Sequence, residues 1–140
     1  MQFHASCAAR DGAGVLLVGG SGVGKSDLAL RLLDRGFQLV ADDRVDVEDG
    51  VARAPAALAG LIEVRGLGLL RLPYLAMARL RLVAQLGGDT DRLPLSSRFA
   101  PLDLPQINLD GMRASAAQRI ALALDLALGI HTQPVGAFAR

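Results

Sequence analysis

Residues 19–26 form a glycine-rich segment whose residue types suit the binding of a nucleoside triphosphate. The segment consists of Gly19, Gly20, Ser21, Gly22, Val23, Gly24, Lys25 and Ser26. It matches the pattern G-x-x-x-x-G-K-[ST], in which glycines let backbone N–H groups approach phosphate oxygens at the start of a helix. The Lys25 ammonium can reach the β- and γ-phosphates, and the Ser26 hydroxyl can bind Mg²⁺. We therefore interpret this segment as a phosphate loop; the alternative is a plain glycine-rich turn.

Two adjacent aspartates, Asp42 and Asp43, follow a short apolar segment that we predict to be a strand. Ligands of open α/β sheets bind at the carboxyl ends of the strands, which places this pair near the phosphates. Two neighbouring carboxylates point in different directions from an extended backbone. One could hold Mg²⁺, directly or through water, while the other accepts a proton from an incoming hydroxyl group. The alternative is an ordinary turn, in which an Asp-Asp-Arg sequence is common.

Three further candidates, His4, Glu63 and Arg92, carry side chains that could act in such a site. His4 lies in a predicted strand, where a histidine can also be a packed or surface residue. Glu63 and Arg65 are two residues apart, so in a strand they would share a face and could point into one site, or form a surface ion pair of little energetic value. Arg92 lies in a polar segment, where it could stabilise transferred charge or simply be a surface arginine.

The apolar pattern predicts the elements that must position these residues. A buried strand over residues 13–18 precedes the phosphate loop, and helical spacing predicts a helix over 25–35 that Gly36 ends. We expect further strands over residues 3–8, 37–41, 44–48, 51–53, 80–86 and 102–109, two strands with a bend within 61–72, and a helix over 115–128. Residues 87–101 are expected to form a surface loop. The predicted fold class is α/β, with a mixed β-sheet flanked by helices.

Length and composition indicate one domain over residues 1–140 with its own core, since 51% of the residues are hydrophobic. The net charge of +1 and the five aromatic residues do not favour nucleic-acid binding. No apolar run approaches the roughly 20 residues that span a membrane. The single cysteine, Cys7, and the lack of an apparent secretory leader favour the cytoplasm. Lys25 is the only lysine among fifteen cationic side chains.

Residues 19–47, GGSGVGKSDLALRLLDRGFQLVADDRVDV, closely resemble the catalytic domain of the HPr kinase/phosphorylase family. A second segment, IEVRGLG at residues 62–68, resembles the other signature of that family. The similarity extends from about His4 to the C-terminal helix. It implies a P-loop fold of the HPr kinase and phosphoenolpyruvate carboxykinase type, in a short form without the N-terminal domain of longer members.

The resemblance also implies roles for individual residues. ATP would be bound by the phosphate loop, and Mg²⁺ by Ser26 together with Glu63. Asp43 would accept the proton when a serine of the phosphocarrier protein HPr is phosphorylated, and would return it in the reverse reaction with inorganic phosphate. His4 matches a histidine that precedes the phosphate loop in the family, and Arg92 best matches the catalytic arginine. The family forms hexamers, so a homo-oligomer is expected.

The sequence departs from the pattern of this family at two places, and two other functions are possible alternatives. Residues 105–110 read PQINLD where longer members carry a Gly-Arg-Asn loop linked to dephosphorylation, so phosphorylase activity is undecided. Asp27 replaces the usual glutamate. A small-molecule P-loop kinase is the first alternative, although an arginine-rich lid between paired helices is not evident. The second is a nucleotide-sensing module without catalysis.

Overall fold

A mixed β-sheet with two α-helices is the architecture of the computed structural model, which describes residues 1–88 and 91–139. The strands are β1 Gln2–Phe3, β2 Ser6–Arg10, β3 Ala13–Val18, β4 Gln38–Ala41, β5 Val45–Glu48, β6 Val51–Arg53, β7 Leu61–Val64, β8 Gly68–Arg71, β9 Ala78–Leu86, β10 Ser97–Phe99 and β11 Leu104–Leu109. The helices are α1 Lys25–Leu33 and α2 Ala116–Ala127. Within the described residues, neither helix is long and apolar enough to cross a membrane.

Strand direction brings four strand ends to one edge of the sheet. β3 and β11 each pair in parallel with β9, and β2 runs antiparallel to both β3 and β4. β4 is therefore parallel to β3, and the carboxyl ends of β4, β3, β9 and β11 lie at the same edge, which we call the carboxyl edge. Along it the strands follow the order β4, β2, β3, β9, β11. β7 and β8 form a separate antiparallel pair.

The core lies on both faces of the sheet, and β3 contributes to both. Val15 and Leu17 pack with the helices, whereas Leu16 and Val18 belong to a second cluster built mainly by the other strands. A strand buried on both faces needs no polar alternation, which explains the continuous apolar sequence of residues 13–18. That predicted strand is confirmed with its boundaries.

The helix after the phosphate loop begins at Lys25, as predicted, and ends at Leu33, two residues before the predicted end. Gly36 adopts a left-handed conformation with φ of 82°, and the Phe37 N–H donates to Leu32 O at 3.3 Å. This is the six-to-one hydrogen bond of a Schellman motif, in which glycine at the left-handed position ends a helix. The role predicted for Gly36 is confirmed.

Two predicted elements differ from the structure. The strand expected over residues 3–8 is two strands. Strand pairing is interrupted at residues 4–5, because the segment before them pairs with β5 and the segment after them pairs with β3. The loop expected over 87–101 contains β10, which pairs with β11 and is only three residues long, too short for a periodic pattern. Residues 89–90 of that loop lie outside the described residues. The remaining strands and α2 occur where expected, with ends shifted by one or two residues.

Cys7 is fully buried in β2, and this burial raises the pKa of its thiol to about 12. We expect the folded protein at pH 8 to react with a chromogenic disulfide reagent more slowly than the unfolded chain, by roughly 10³-fold from the thiolate fraction alone, since only the thiolate is nucleophilic. The absorbance time course with and without denaturant measures this ratio. Similar rates in the two states would contradict a buried, structural cysteine.

Candidate active site

The phosphate loop follows β3 at the carboxyl edge and leads directly into α1. Gly22 and Gly24 have positive φ angles of 82° and 89°, which residues with a side chain rarely adopt. At Gly19 a Cβ atom would lie 2.9 Å from the Leu86 carbonyl oxygen, so the close approach of the loop to β9 also requires glycine. A Cβ atom at Gly20 or Gly22 would meet nothing within 4 Å. The space beside these two glycines is therefore open.

Lys25 is largely buried at the start of α1, and its ammonium lies against the phosphate loop. The Nζ atom donates to Gly19 O at 2.8 Å and to Gly20 O at 3.0 Å. These two carbonyls hold the only lysine side chain of the protein at the position where it can contact phosphate oxygens.

Asp42 is the buried carboxylate of the site, with 6% of its surface exposed. Its Oδ1 atom accepts hydrogen bonds from Ser26 Oγ and Ser6 Oγ, both at 2.7 Å, and its Oδ2 atom accepts one from the Glu63 N–H at 3.3 Å. The hydroxyl and carboxylate oxygens of Ser26 and Asp42 are the kind of ligand that Mg²⁺ prefers. Ser6 was not predicted from the sequence, since no motif marks a serine in a strand.

The donor set fits a magnesium ion that is shared with a nucleotide. Among residues 1–88 and 91–139, no three acidic, histidine or cysteine side chains converge on one metal position. Mg²⁺ typically takes one or two protein carboxylates and fills its other positions with water and phosphate oxygens. Ser26 and Asp42, next to the open phosphate loop, meet that requirement.

Asp43 lies in a turn. The prediction that the Asp42 and Asp43 carboxylates point in different directions assumed an extended backbone, and the structure corrects that assumption. The φ angle of Asp43 is 69°, and the Arg44 N–H donates to Asp42 O at 2.8 Å across the turn. The turn directs Asp42 inward and leaves the Asp43 side chain 62% exposed. His4 Nε2 lies 2.9 Å from Asp43 Oδ1, and the Ala5 N–H donates to Asp43 O at 3.2 Å. The break between β1 and β2 thus serves to place His4 beside Asp43.

Glu63 reaches the site through its backbone, which bonds to Asp42, while its side chain is exposed. β7 ends at Val64, so Arg65 lies in the turn before β8 and strand alternation does not extend to it. The strand geometry on which the shared face of Glu63 and Arg65 was predicted is therefore not present at Arg65, and their approach to one site stays a prediction. The predicted contact of the Glu63 carboxylate with a metal stays a prediction.

Arg92 lies in an exposed bend next to the residues outside the described part of the chain. Within the described residues, no hydrogen bond or ion pair connects Arg92 to the phosphate loop, Asp42 or Asp43. Its proposed catalytic role stays a prediction.

The combination of a phosphate loop, a buried aspartate and an exposed aspartate–histidine pair can be compared with known families. The family described as HPr Serine kinase C-terminal domain matches residues 1–75, which include the phosphate loop and both aspartates. The chain belongs to this family. The resemblance noted from residues 19–47 and 62–68 is confirmed by this match, which covers more than half of the chain.

Similar proteins support the assignment to this phosphotransferase family. HPr kinase/phosphorylases from Cupriavidus metallidurans and Burkholderia cenocepacia are each 40% identical to this chain over an alignment of 134 residues. The alignment covers 84% of this chain. The chain spans 41% of the length of these relatives. The solved structure of the Hpr(Ser) kinase/phosphatase from Coxiella burnetii is 26% identical, with a TM-score of 0.75 over 93% of this chain and 98% of that one. The predicted α/β fold class is thereby confirmed.

Proposed function

We propose that residues 1–140 act as one catalytic domain that transfers the γ-phosphoryl group of ATP to a serine of the phosphocarrier protein HPr. The observation that carries this proposal is the exposed Asp43 carboxylate, hydrogen-bonded to His4 and next in sequence to Asp42, which contacts Ser26 of the phosphate loop at 2.7 Å. A base that is 62% exposed can be reached by a hydroxyl group on the surface of another protein. This exposure favours a protein acceptor over a small molecule, which kinases usually enclose.

The residues divide the work of transfer among them. The phosphate-loop N–H groups and Lys25 bind the β- and γ-phosphates. Mg²⁺ held by Ser26, Asp42 and Glu63 would offset the negative charge of those phosphates. As the acceptor serine oxygen bonds to the γ-phosphorus and the bond to the ADP oxygen breaks, Asp43 takes the hydroxyl proton.

Three further assignments complete the proposal. His4 keeps the Asp43 carboxylate oriented through their 2.9 Å contact. Arg92 would stabilise the charge of the transferred group, and in the reverse reaction with inorganic phosphate the Asp43 carboxyl would return the proton. We further propose, from the family resemblance, a cytoplasmic homo-oligomer, with a hexamer as the expected form.

The test is incubation of the purified chain with γ-labelled ATP, Mg²⁺ and HPr from the same organism. We expect label on a serine of HPr. When excess inorganic phosphate is added, transfer of the labelled phosphoryl group to that phosphate, which yields labelled pyrophosphate, would show the reverse reaction. Bound ATP with HPr left unlabelled would contradict the proposal and favour a nucleotide-sensing role. Transfer to a small alcohol or nucleotide in place of HPr would favour a small-molecule kinase.

A further inference from the structure

We propose that residues 110–113, which follow β11 and which we call the Met112 loop, form the wall of the ATP site against which the nucleoside lies. Met112 would contact the nucleoside, and Arg31 would position the loop. This inference rests on the proposed function in two respects: the ligand of the phosphate loop is a nucleotide, and Asp43 accepts the proton of the acceptor.

The order of strands at the carboxyl edge determines the direction of a bound nucleotide. The phosphate loop follows β3; the two aspartates follow β4 on one side of it, and the Met112 loop follows β11 on the other side. The γ-phosphate must face Asp43 if that carboxylate accepts the proton of the acceptor. The opposite end of the triphosphate, which carries the nucleoside, therefore points toward β9 and β11.

The Met112 loop packs directly on the end of the phosphate loop. A Cβ atom at Gly24 would lie 3.1 Å from Met112 Cε, and one at Gly111 would lie 3.4 Å from Val23 O and 3.3 Å from Leu86 Cδ1. Met112 is nonetheless 62% exposed. A large apolar side chain thus lies open to solvent beside the phosphate loop, on the side toward which the nucleoside points. A thioether is a suitable contact for it, because the polarisable sulfur interacts favourably with aromatic rings.

Arg31 of α1 holds the Met112 loop in this position. Its guanidinium donates to Gly111 O and, at 3.2 Å, to Arg113 O. Its Nε donates to Asp27 Oδ2 at 3.1 Å, which orients the guanidinium from the other side. The helix whose first turn binds the phosphates therefore also ties down the loop that would contact the nucleoside.

A hydrogen bond inside the Met112 loop involves the carboxylate of Asp110. Asp110 Oδ1 accepts a hydrogen bond from the Met112 N–H at 2.9 Å, so this carboxylate is used inside the loop. Among the side chains of the loop, the Met112 thioether is the one that lies against Gly24.

The test compares binding of ATP with binding of inorganic tripolyphosphate, which has the phosphates and no nucleoside, both with Mg²⁺ and measured by calorimetry. Met112→Ala is expected to raise the Kd for ATP roughly 3- to 10-fold and to leave that for tripolyphosphate within about twofold, since it removes only apolar contact. Met77→Ala is the matched control: Met77 is 50% exposed and lies just before β9, at the edge of the sheet opposite the site. It is expected to change neither constant.

Arg31→Ala separates positioning from general loss of structure. A positioning role predicts that the ratio of the two dissociation constants shifts in the same direction as in Met112→Ala, whereas a damaged phosphate loop would weaken both ligands equally. An unchanged ratio in Met112→Ala, with ATP still bound by the wild-type protein, overturns this inference alone. Failure of the wild-type protein to bind ATP overturns the proposed function as well.

Discussion

Asp43→Asn is expected to lower the rate of phosphoryl transfer to HPr by about 10²- to 10⁴-fold, the range typical of a lost general base. Asparagine has nearly the shape of aspartate but cannot accept the proton of the attacking hydroxyl. Its carbonyl oxygen can keep the contact with His4, which in the wild type joins Nε2 to Asp43 Oδ1 at 2.9 Å. Binding of ATP should be nearly unchanged, because the phosphate loop, Lys25 and Asp42 are intact.

The backbone conformation at residue 43 accommodates the Asp43→Asn substitution without added strain. Asp43 has φ of 69°, and asparagine tolerates the left-handed region as well as aspartate does. Asp49→Asn is the matched control, since Asp49 has φ of 52° in the turn between β5 and β6, at the opposite edge of the sheet from Asp43. Initial rates with labelled ATP, together with calorimetric ATP binding, measure the effect. A transfer rate for Asp43→Asn close to that of Asp49→Asn would refute the assignment of the base.

Lys25→Ala is expected to weaken ATP binding by about 10- to 100-fold, because charge-assisted hydrogen bonds to phosphate contribute roughly 1.5–3 kcal/mol. Transfer to HPr should be lost with it. The side chain is largely buried, and its ammonium is fixed by two carbonyl oxygens of the loop at 2.8 and 3.0 Å. Calorimetric titration with ATP and Mg²⁺ measures the loss.

Lys25→Arg is the informative companion because it retains the positive charge. The guanidinium is planar and larger than an ammonium, and cannot occupy the same buried position between the Gly19 and Gly20 carbonyls. We therefore expect Lys25→Arg to bind ATP more weakly than the wild type by about one order of magnitude. The composition agrees with this expectation: every other Lys or Arg position of the sequence is arginine, yet this position is lysine. Full activity in Lys25→Arg would show that charge alone is required.

The local parts of the site were predictable because each is contiguous in sequence. A buried strand, a glycine-rich turn and an amphipathic helix follow one another over residues 13–33, and glycine positions and apolar periodicity dictate those conformations. The turn between β5 and β6 is local in the same way, because its Asp49-Gly50 sequence favours the positive φ angles, 52° and 76°, that the two residues adopt. The family resemblance also rests on such contiguous segments.

The tertiary structure decided which distant residues meet. His4 and Asp43 are 39 positions apart, Ser6 and Asp42 are 36 apart, and the Glu63 N–H reaches Asp42 over 21 positions. The left-handed turn at Asp43 exposes one carboxylate and buries the other, and the end of β11 brings Met112 onto Gly24. Such contacts depend on strand order and register, which arise from packing of the whole sheet and not from any local pattern. The sequence by itself thus determined the phosphate loop and its family, whereas the folded sheet determined the surroundings of the two aspartates and of the nucleoside side of the loop.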